Sequence, residues 1–327
     1  MSAQAPLVEI ANLKVVFHGD RGRITHAVDK VDLELARGAT LGIVGESGCG
    51  KSVTSLAVMG LLPPASAEVS GSVKLDGVDL LTVPEETLSD LRGNRLAMIF
   101  QEPMTSLNPS YTIGEQIAEA IVRHRGLSRG EARRRAIEML RRVRIPSPEK
   151  RIDDYPHKLS GGMRQRAMIA IALACGPELI IADEPTTALD VTIQAQILAL
   201  MRDLKAATDA AIVLITHDLG VVAEVCDDVA VMYAGEVVEQ APVEALFAAP
   251  EHPYTVGLMG SLPRLDQKAD RLAVIDGVVP DMSAPPPGCR FAPRCPFADD
   301  ACRASRPPVV RLAGEHWSRC FKAPLEP

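Results

Sequence analysis

The most informative segment of this sequence is Gly45-Glu46-Ser47-Gly48-Cys49-Gly50-Lys51-Ser52. It fits the pattern G-x-x-x-x-G-K-[ST], in which glycines let successive backbone N–H groups curl around a phosphate. The apolar run 40–44 predicts a buried strand before it, and 52–62 predicts a helix whose N-terminus adds partial positive charge. We therefore expect Lys51 to reach the β- and γ-phosphates of a nucleotide and the Ser52 hydroxyl to bind Mg²⁺. Cys49 stands at a variable position, where a small side chain without chemistry is the simpler interpretation.

A pair of adjacent carboxylates supplies the second half of a nucleotide site. The apolar run 179–182 predicts a buried strand, and Asp183 and Glu184 follow at its C-terminal end. Asp183 suits the coordination shell of Mg²⁺, which prefers oxygen ligands. Glu184 points to the other side of the pleat and is placed to orient or deprotonate a water that attacks the γ-phosphate.

Length and composition limit the classes of protein that fit. The chain has 327 residues, which suggests about two domains, and 47% of them are hydrophobic, which excludes disorder over most of the length. The net charge of −7 argues against nucleic acid as a partner, because proteins that bind it are more often basic. We expect no signal peptide and no membrane-spanning helix, because the most apolar segment, 167–182, is shorter than the roughly 20 residues that a span needs.

The rest of the pattern predicts alternating strands and helices with one helical interruption. Residues 102–165 carry helical periodicity and a basic tract, 123–151, which is either a site for an anionic surface or a solvated helix face. Beyond about residue 256 the chain is rich in proline, so we place a domain boundary near 250–260. Other strands are predicted at 8–10, 13–17, 28–35, 69–75, 96–100 and 212–215, a helix at 191–207, and a hairpin at 229–233 and 237–240.

Further motifs resemble those of one protein family. The stretch that resembles the signature motif of the ATP-binding-cassette (ABC) ATPases is Leu159-Ser160-Gly161-Gly162-Met163-Arg164-Gln165-Arg166. Gln101 resembles the family's Q-loop residue, Thr187-Ala188-Leu189-Asp190 its D-loop, and His217 its switch histidine. Phe17 stands where the family has an aromatic residue that stacks on adenine. The resemblance covers about 6–250 without a gap.

The resemblance implies an α/β fold and an ATPase activity. The implied fold is a RecA-like P-loop NTPase core with an N-terminal antiparallel β subdomain and a helical subdomain at about 102–165. The implied nucleotide-binding domain spans 6–255. In it Glu184 activates water, Gln101 senses the γ-phosphate or Mg²⁺, and His217 hydrogen-bonds the γ-phosphate.

The resemblance also implies a dimer in which two chains sandwich two ATP molecules. Each signature motif would then approach the γ-phosphate of the opposite chain's nucleotide, and Asp190 would bridge the interface. The implied Mg²⁺ ligands are Ser52, Gln101 and Asp183. The residues implied to contact ATP are Phe17, Gly45, Glu46, Ser47, Gly48, Cys49, Gly50, Lys51, Ser52, Val53, Gln101, Ser160, Gly161, Gly162, Asp183 and Asp190.

Two segments resemble one branch of this family, the peptide/nickel importers. They are Glu102-Pro103-Met104-Thr105-Ser106-Leu107-Asn108-Pro109 and His252-Pro253-Tyr254-Thr255. The resemblance implies import of dipeptides or oligopeptides at the cytoplasmic face of the inner membrane, as a peripheral subunit. The implied partners are two transmembrane permease subunits, a second ABC ATPase subunit and an extracytoplasmic substrate-binding protein, with no nucleic acid. Alternatives are the same role in a nickel or other small-solute importer, or a soluble ABC ATPase without a transport role.

The C-terminal segment 256–327 is irregular and holds Cys289, Cys295, Cys302 and Cys320. Their spacing lacks the C-x₂-C pairs of zinc fingers and bacterial-type ferredoxins, so spacing alone selects no metal. Four clustered thiols in a reducing compartment do favour a soft-metal site. The pattern resembles the cysteine motif of the peptide importers, which implies a [4Fe–4S] cluster. Zinc and free thiols are the alternatives, and His316 is either a further ligand or a surface residue.

Overall fold

The computed structural model describes residues 5–19, 22–186, 191–261 and 275–325. The strands are β1 (Val8–His18), β2 (Ile24–Leu35), β3 (Thr40–Val44), β4 (Ala67–Leu75), β5 (Val78–Asp79), β6 (Leu96–Ile99), β7 (Leu179–Asp183), β8 (Ala211–Ile215), β9 (Asp228–Tyr233), β10 (Glu236–Pro242), β11 (Val310–Arg311) and β12 (Trp317–Ser318). The helices are α1 (Lys51–Val58), α2 (Glu85–Leu91), α3 (Pro103–Ser106), α4 (Ile113–Arg125), α5 (Arg129–Arg142), α6 (Pro148–Arg151), α7 (Gly161–Leu173), α8 (Val191–Thr208), α9 (Leu219–Val225), α10 (Val243–Ala248), α11 (Pro253–Gly260) and α12 (Asp300–Ala304).

Two compact units divide the chain, and both are discontinuous in sequence. The first unit takes its described residues from 1–35, 40–81 and 216–327, and the second takes them from 36–39 and 82–215. The glycine-rich loop and the C-terminal cysteines therefore belong to the first unit, whereas the carboxylate pair and the signature motif belong to the second. In the described ranges of both units, no helix has the length and apolarity needed to cross a membrane.

An antiparallel sheet with the strand order β2-β1-β4-β5 forms one layer of the first unit. Alternate side chains of β1 point inward, and Leu13 and Val15 are fully buried. The sequence predicted separate strands at 8–10 and 13–17, but the structure has one continuous strand. The register against β2 shifts around Asn12, whose φ is 51°, so the apparent break is a bulge.

A second layer of the first unit begins with β3, the strand that leads into the glycine-rich loop. β3 pairs in parallel with β9, and β9 pairs with β10 as the antiparallel hairpin that the sequence predicted. β12 pairs with β10, and β11 pairs with β12, so residues of the C-terminal segment extend this sheet. Tyr233, Tyr254 and Phe291 belong to one buried cluster beside it. The C-terminal segment is thus packed onto the same core as the loop.

The second unit combines three parallel strands with most of the helices. β6 pairs with β7 and β7 with β8, which fits the nearly continuous apolar sequence of strands that are covered on both faces. Helices α4 and α5 each begin with a capping box, formed by Thr112 with Glu115 and by Ser128 with Glu131. These caps fix where α4 and α5 begin, within the helical region that the sequence predicted at 102–165.

The basic tract 123–151 lies on exposed helix faces of the second unit. Arg133 pairs with Asp153 at 2.8 Å, and Arg141 pairs with Glu149 at 2.5 Å. All four side chains are about half exposed or more. Because these arginines already have carboxylate partners, the structure favours the solvated helix face over a site for an anionic surface.

Candidate functional site

The glycine-rich loop, residues 45–52, follows a backbone path that only glycine can take at two of its positions. Gly45 has a φ of 152° and Gly50 a φ of 105°, in a region that other residues rarely adopt. A Cβ on Gly45 would overlap the carbonyl oxygen of Met232, and one on Gly50 would lie 2.6 Å from that of Ala27. We call residues 45–52 the phosphate loop. Its close packing fixes the direction of its N–H groups.

Lys51 is the buried cation of the phosphate loop. Its Nζ donates hydrogen bonds to the carbonyl oxygens of Gly45 at 2.7 Å and Glu46 at 3.0 Å. Cys49 is fully buried, and its Sγ lies 3.8 Å from Lys51 Nζ. Burial raises the pKa of the Cys49 thiol even though the Lys51 charge lowers it. The thiol is therefore neutral, which supports the interpretation of Cys49 as a small side chain without chemistry.

The helix after the phosphate loop is shorter than the sequence predicted. α1 ends at Val58 rather than near residue 62, because Gly60 adopts a φ of 61° and closes the helix. Ser52 and Val53 lie in its first turn, where both are partly buried. The residues predicted to face the phosphates and Mg²⁺ are thus at the helix N-terminus, where unsatisfied N–H groups favour anions.

In the second unit, the predicted base and the predicted Q-loop residue lie in contact. Gln101 Nε2 donates a hydrogen bond to Glu184 Oε2 at 3.0 Å. Asp183 is buried at the end of β7, and Glu184 follows it with a φ of 45°, a left-handed conformation that is strained for a glutamate. The Glu184 N–H donates to the carbonyl of Ile215 at 2.9 Å, which holds this turn. The turn thus places Glu184 directly after the buried Asp183, at the end of β7.

The signature motif forms the N-terminus of α7. Ser160 is the N-cap, and its side chain accepts a hydrogen bond from the Met163 N–H at 3.4 Å. Ser160 and Gly161 are exposed, so this helix end is open to a ligand from outside the chain. Sequence reasoning assigned no role to Gln165, yet its buried amide donates to the carbonyl of Pro185 at 2.5 Å. Gln165 therefore connects the signature helix to the residue that follows Glu184.

The roles of all the predicted site residues stay predictions, including those of His217, Phe17 and Asp190. His217 is exposed and precedes Asp218, whose side chain caps α9. Phe17 lies near the end of β1 and is half-buried rather than part of the core. Asp190 and the rest of the predicted D-loop, 187–190, lie outside the described residues.

The four C-terminal cysteines line one small cavity of about 10 Å³, which is close to the smallest space that holds one water molecule. Burial raises the pKa of Cys289 to about 11 and also raises the pKa values of Cys295 and Cys320. Soft metals prefer thiol donors, so these residue types suit one. Even so, no three described His, Cys, Asp or Glu side chains are arranged closely enough to hold a metal ion as they stand.

His316 is neither a surface residue nor part of this thiol cavity. It is buried, and its Nε2 lies 2.8 Å from Glu239 Oε1. Glu239 is fully buried as well and also accepts hydrogen bonds from the backbone N–H groups of Glu251 and His252. No sequence signal indicated this pair, since neither residue belongs to a motif.

Comparison with known proteins identifies the family of the chain. Residues 28–187 match the ABC transporter family, and 238–302 match the oligopeptide/dipeptide transporter C-terminal region. The chain is 54% identical to the probable peptide ABC transporter ATP-binding protein y4tR of Sinorhizobium fredii, over 97% of this chain and 95% of that protein. It is 52% identical to the oligopeptide transport ATP-binding protein AppD of Bacillus subtilis, over 96% of each.

A solved structure shares the fold. The dimeric ATP-binding cassette MJ0796, in a post-hydrolysis state with ADP and Pi, superposes with a TM-score of 0.65 at 28% identity. The match covers 72% of this chain and 98% of that one. The fold is therefore that of an ABC ATPase, as the sequence predicted. The chain belongs to the ABC transporter family, within its group of ATP-binding proteins that carry the oligopeptide/dipeptide transporter C-terminal region.

Proposed function

We propose that this chain binds and hydrolyses ATP to energise the import of dipeptides or oligopeptides by a membrane ABC transporter. One observation carries the proposal: the chain aligns over nearly its whole length, at 52–54% identity, with ATP-binding proteins named for peptide transport. Its nucleotide-binding domain is assigned to 6–255 and its extension to 256–327. The family match to the C-terminal region, residues 238–302, covers part of the extension and also the end of the proposed nucleotide-binding domain.

The site residues take the following roles in this proposal. Lys51 and the phosphate-loop N–H groups bind the β- and γ-phosphates, and Phe17 stacks on adenine. Ser52, Gln101 and Asp183 hold Mg²⁺. Glu184 activates the attacking water, and its hydrogen bond with Gln101 supports this role because a base must be oriented as well as basic. His217 hydrogen-bonds the γ-phosphate. Ser160, Gly161 and Gly162 approach the γ-phosphate of the opposite chain's nucleotide, and Asp190 bridges the dimer interface.

The proposed setting is the cytoplasmic face of the membrane. Two permease subunits would bind the chain, a second ABC ATPase subunit would complete the pair of nucleotide sites, and an extracytoplasmic binding protein would deliver the peptide. The exposed N-terminus of α7 supports the second ATPase, because a γ-phosphate from another chain could approach its free N–H groups.

Peptide uptake into right-side-out membrane vesicles, with ATP enclosed, tests the proposed cargo. Vesicles that contain the complete transporter should accumulate a labelled dipeptide or oligopeptide only with ATP at this chain's side of the membrane. Vesicles with Lys51→Met in this chain should lose that uptake, because the loop then lacks its phosphate-binding cation. Uptake of ⁶³Ni²⁺ instead of peptide would favour the nickel importer, and co-purification with ribosomes or DNA would favour the non-transport ATPase.

We also propose that Cys289, Cys295, Cys302 and Cys320 hold a [4Fe–4S] cluster, with zinc as the alternative. The four thiols that line one cavity support this assignment. When bound, the metal would supply a cross-link for a segment with little regular structure of its own.

Metal analysis of protein purified without oxygen tests the cluster. We expect about four irons and four acid-labile sulfides per chain, with visible absorption, because a [4Fe–4S] cluster takes four thiolates. Cys302→Ser should lower the iron content, whereas the matched control Cys226→Ser, outside the cavity, should retain it. Zinc in place of iron would select the alternative, and no metal in the untreated protein would contradict both.

A further inference from the structure

The cysteine-bearing segment contacts the phosphate loop directly. Arg294, the residue before Cys295, forms a two-pronged ion pair with Glu46, the second residue of the loop. Its Nη1 lies 2.6 Å from Glu46 Oε2, and its Nη2 lies 3.0 Å from Oε1. The Arg294 side chain is 4% exposed, so solvent screens this pair only weakly.

Arg294 is itself held in place by several contacts. Its Nε donates to the carbonyl of Asp276 at 2.9 Å, and its Nη2 donates to that of Ile275 at 3.0 Å. Its guanidinium carbon lies 5.8 Å from the centre of the Tyr233 ring. Gly277, with a φ of 83°, leaves room for it, because a Cβ there would come within 3.3 Å of Arg294 Cγ. The arginine therefore presents a fixed fork to the loop, a geometry that lysine cannot reproduce.

A second contact reaches the backbone of the same loop residue. The Glu46 N–H donates to the hydroxyl oxygen of Tyr254 at 2.8 Å, and Tyr254 is fully buried. The Tyr254 ring packs against Tyr233 and Phe291, with ring centres 4.6 and 5.4 Å apart. Phe291 also lines the thiol cavity. One aromatic layer thus separates the thiols from the phosphate loop.

We propose that Arg294 and Tyr254 are positioning residues of the nucleotide site, and that they hold the phosphate loop through Glu46. Arg294 neutralises a carboxylate that would otherwise stand in the loop and repel the phosphates. Tyr254 fixes the direction of the peptide unit between Gly45 and Glu46, at the start of the loop. This inference rests on the proposed ATPase function and adds to it, because it gives the extension a part in ATP binding.

Equilibrium ATP binding to the full-length protein, together with kcat and KM for ATP hydrolysis, tests the role of Arg294. Arg294→Met should weaken ATP binding about tenfold and raise KM similarly, while kcat at saturating ATP changes less than about threefold. We expect weaker ATP binding because the Glu46 carboxylate then keeps its negative charge without its arginine partner. The double variant Arg294→Met/Glu46→Gln should regain most of the affinity, because the repelling carboxylate is gone.

The matched control is Arg23→Met, which removes an arginine from an exposed pair with Asp281, 3.0 Å apart, that also joins the extension to the sheet. It should leave ATP affinity unchanged. Tyr254→Phe, which removes one oxygen atom, should weaken binding several-fold and serves as the test if Arg294→Met does not fold. Unchanged affinity in both site variants, or a loss without rescue in the double variant, would overturn the proposal. Failure of the unaltered protein to bind ATP would instead refute the ATPase function on which it rests.

Discussion

Replacement of Glu184 by glutamine should lower the rate of ATP hydrolysis at least about a hundredfold while ATP binding is retained, the range expected for loss of a catalytic base. Glutamine has nearly the same shape and can keep a hydrogen bond to Gln101, but its amide cannot accept a proton from water. The left-handed turn at Glu184, with a φ of 45°, depends on the backbone and should persist. Single-turnover hydrolysis of radiolabelled ATP and equilibrium binding measure the two effects separately.

Glu178→Gln is the matched control for that experiment. Glu178 precedes β7, whereas Glu184 follows it, so the same change is made at opposite ends of one strand. Glu178 binds Arg95 and Arg37 and has no proposed contact with ATP. We expect the ATP turnover of Glu178→Gln to stay within about threefold of that of the unaltered protein. Near-normal turnover in Glu184→Gln would show that Glu184 is not the base, and a parallel loss of ATP binding would point to a structural role instead.

The sequence predicted those parts of the site where chemistry dictates residue type and spacing. The phosphate loop is the clearest case, because its backbone path requires glycine at Gly45 and Gly50. The strand before Asp183 could be predicted for a related reason, since a fully covered parallel strand has a continuous apolar sequence. The sequence analysis named both Gln101 and Glu184 as site residues, but their spacing did not predict that the two side chains are in contact.

Contacts between distant segments left no pattern in the sequence. Glu46 and Arg294 are separated by 248 positions, and an arginine before a cysteine has no spacing that indicates a carboxylate partner. The pairing of His316 was missed for the same reason, because its buried partner Glu239 lies in β10, 77 positions away. Local backbone details were also missed. The sequence predicted two strands where the structure has the single strand β1, which contains the left-handed Asn12. It also predicted too long a helix α1, which ends early because Gly60 is left-handed.

The extension is joined to the core by a second buried arginine. Arg290, the residue after Cys289, is 1% exposed in its side chain. Its Nη2 donates to Asp29 at 2.6 Å, its Nε lies 3.4 Å from Glu236, and its Nη1 donates to the carbonyl of Ala234. Arg306 binds the same two carboxylates at 2.9 and 2.8 Å, so two positive and two negative side chains balance. Burial raises the pKa of Asp29, but its hydrogen bond with Arg306 and the charge of Arg290 outweigh this and leave the pKa below its usual value.

Arg290→Met should therefore lower the free energy of unfolding by about 3–5 kcal/mol, the range for removing one partner of a buried ion pair. Two carboxylates would then share Arg306 alone, and the Ala234 carbonyl would lose its donor. Arg306→Met removes an arginine from the same cluster, but its side chain is 39% exposed, so we expect a loss of about 1 kcal/mol or less. The single tryptophan, Trp317 in β12 of the same unit, reports unfolding in urea by its fluorescence. Equal losses in the two variants would contradict the argument, because burial is the main feature that distinguishes these two arginines.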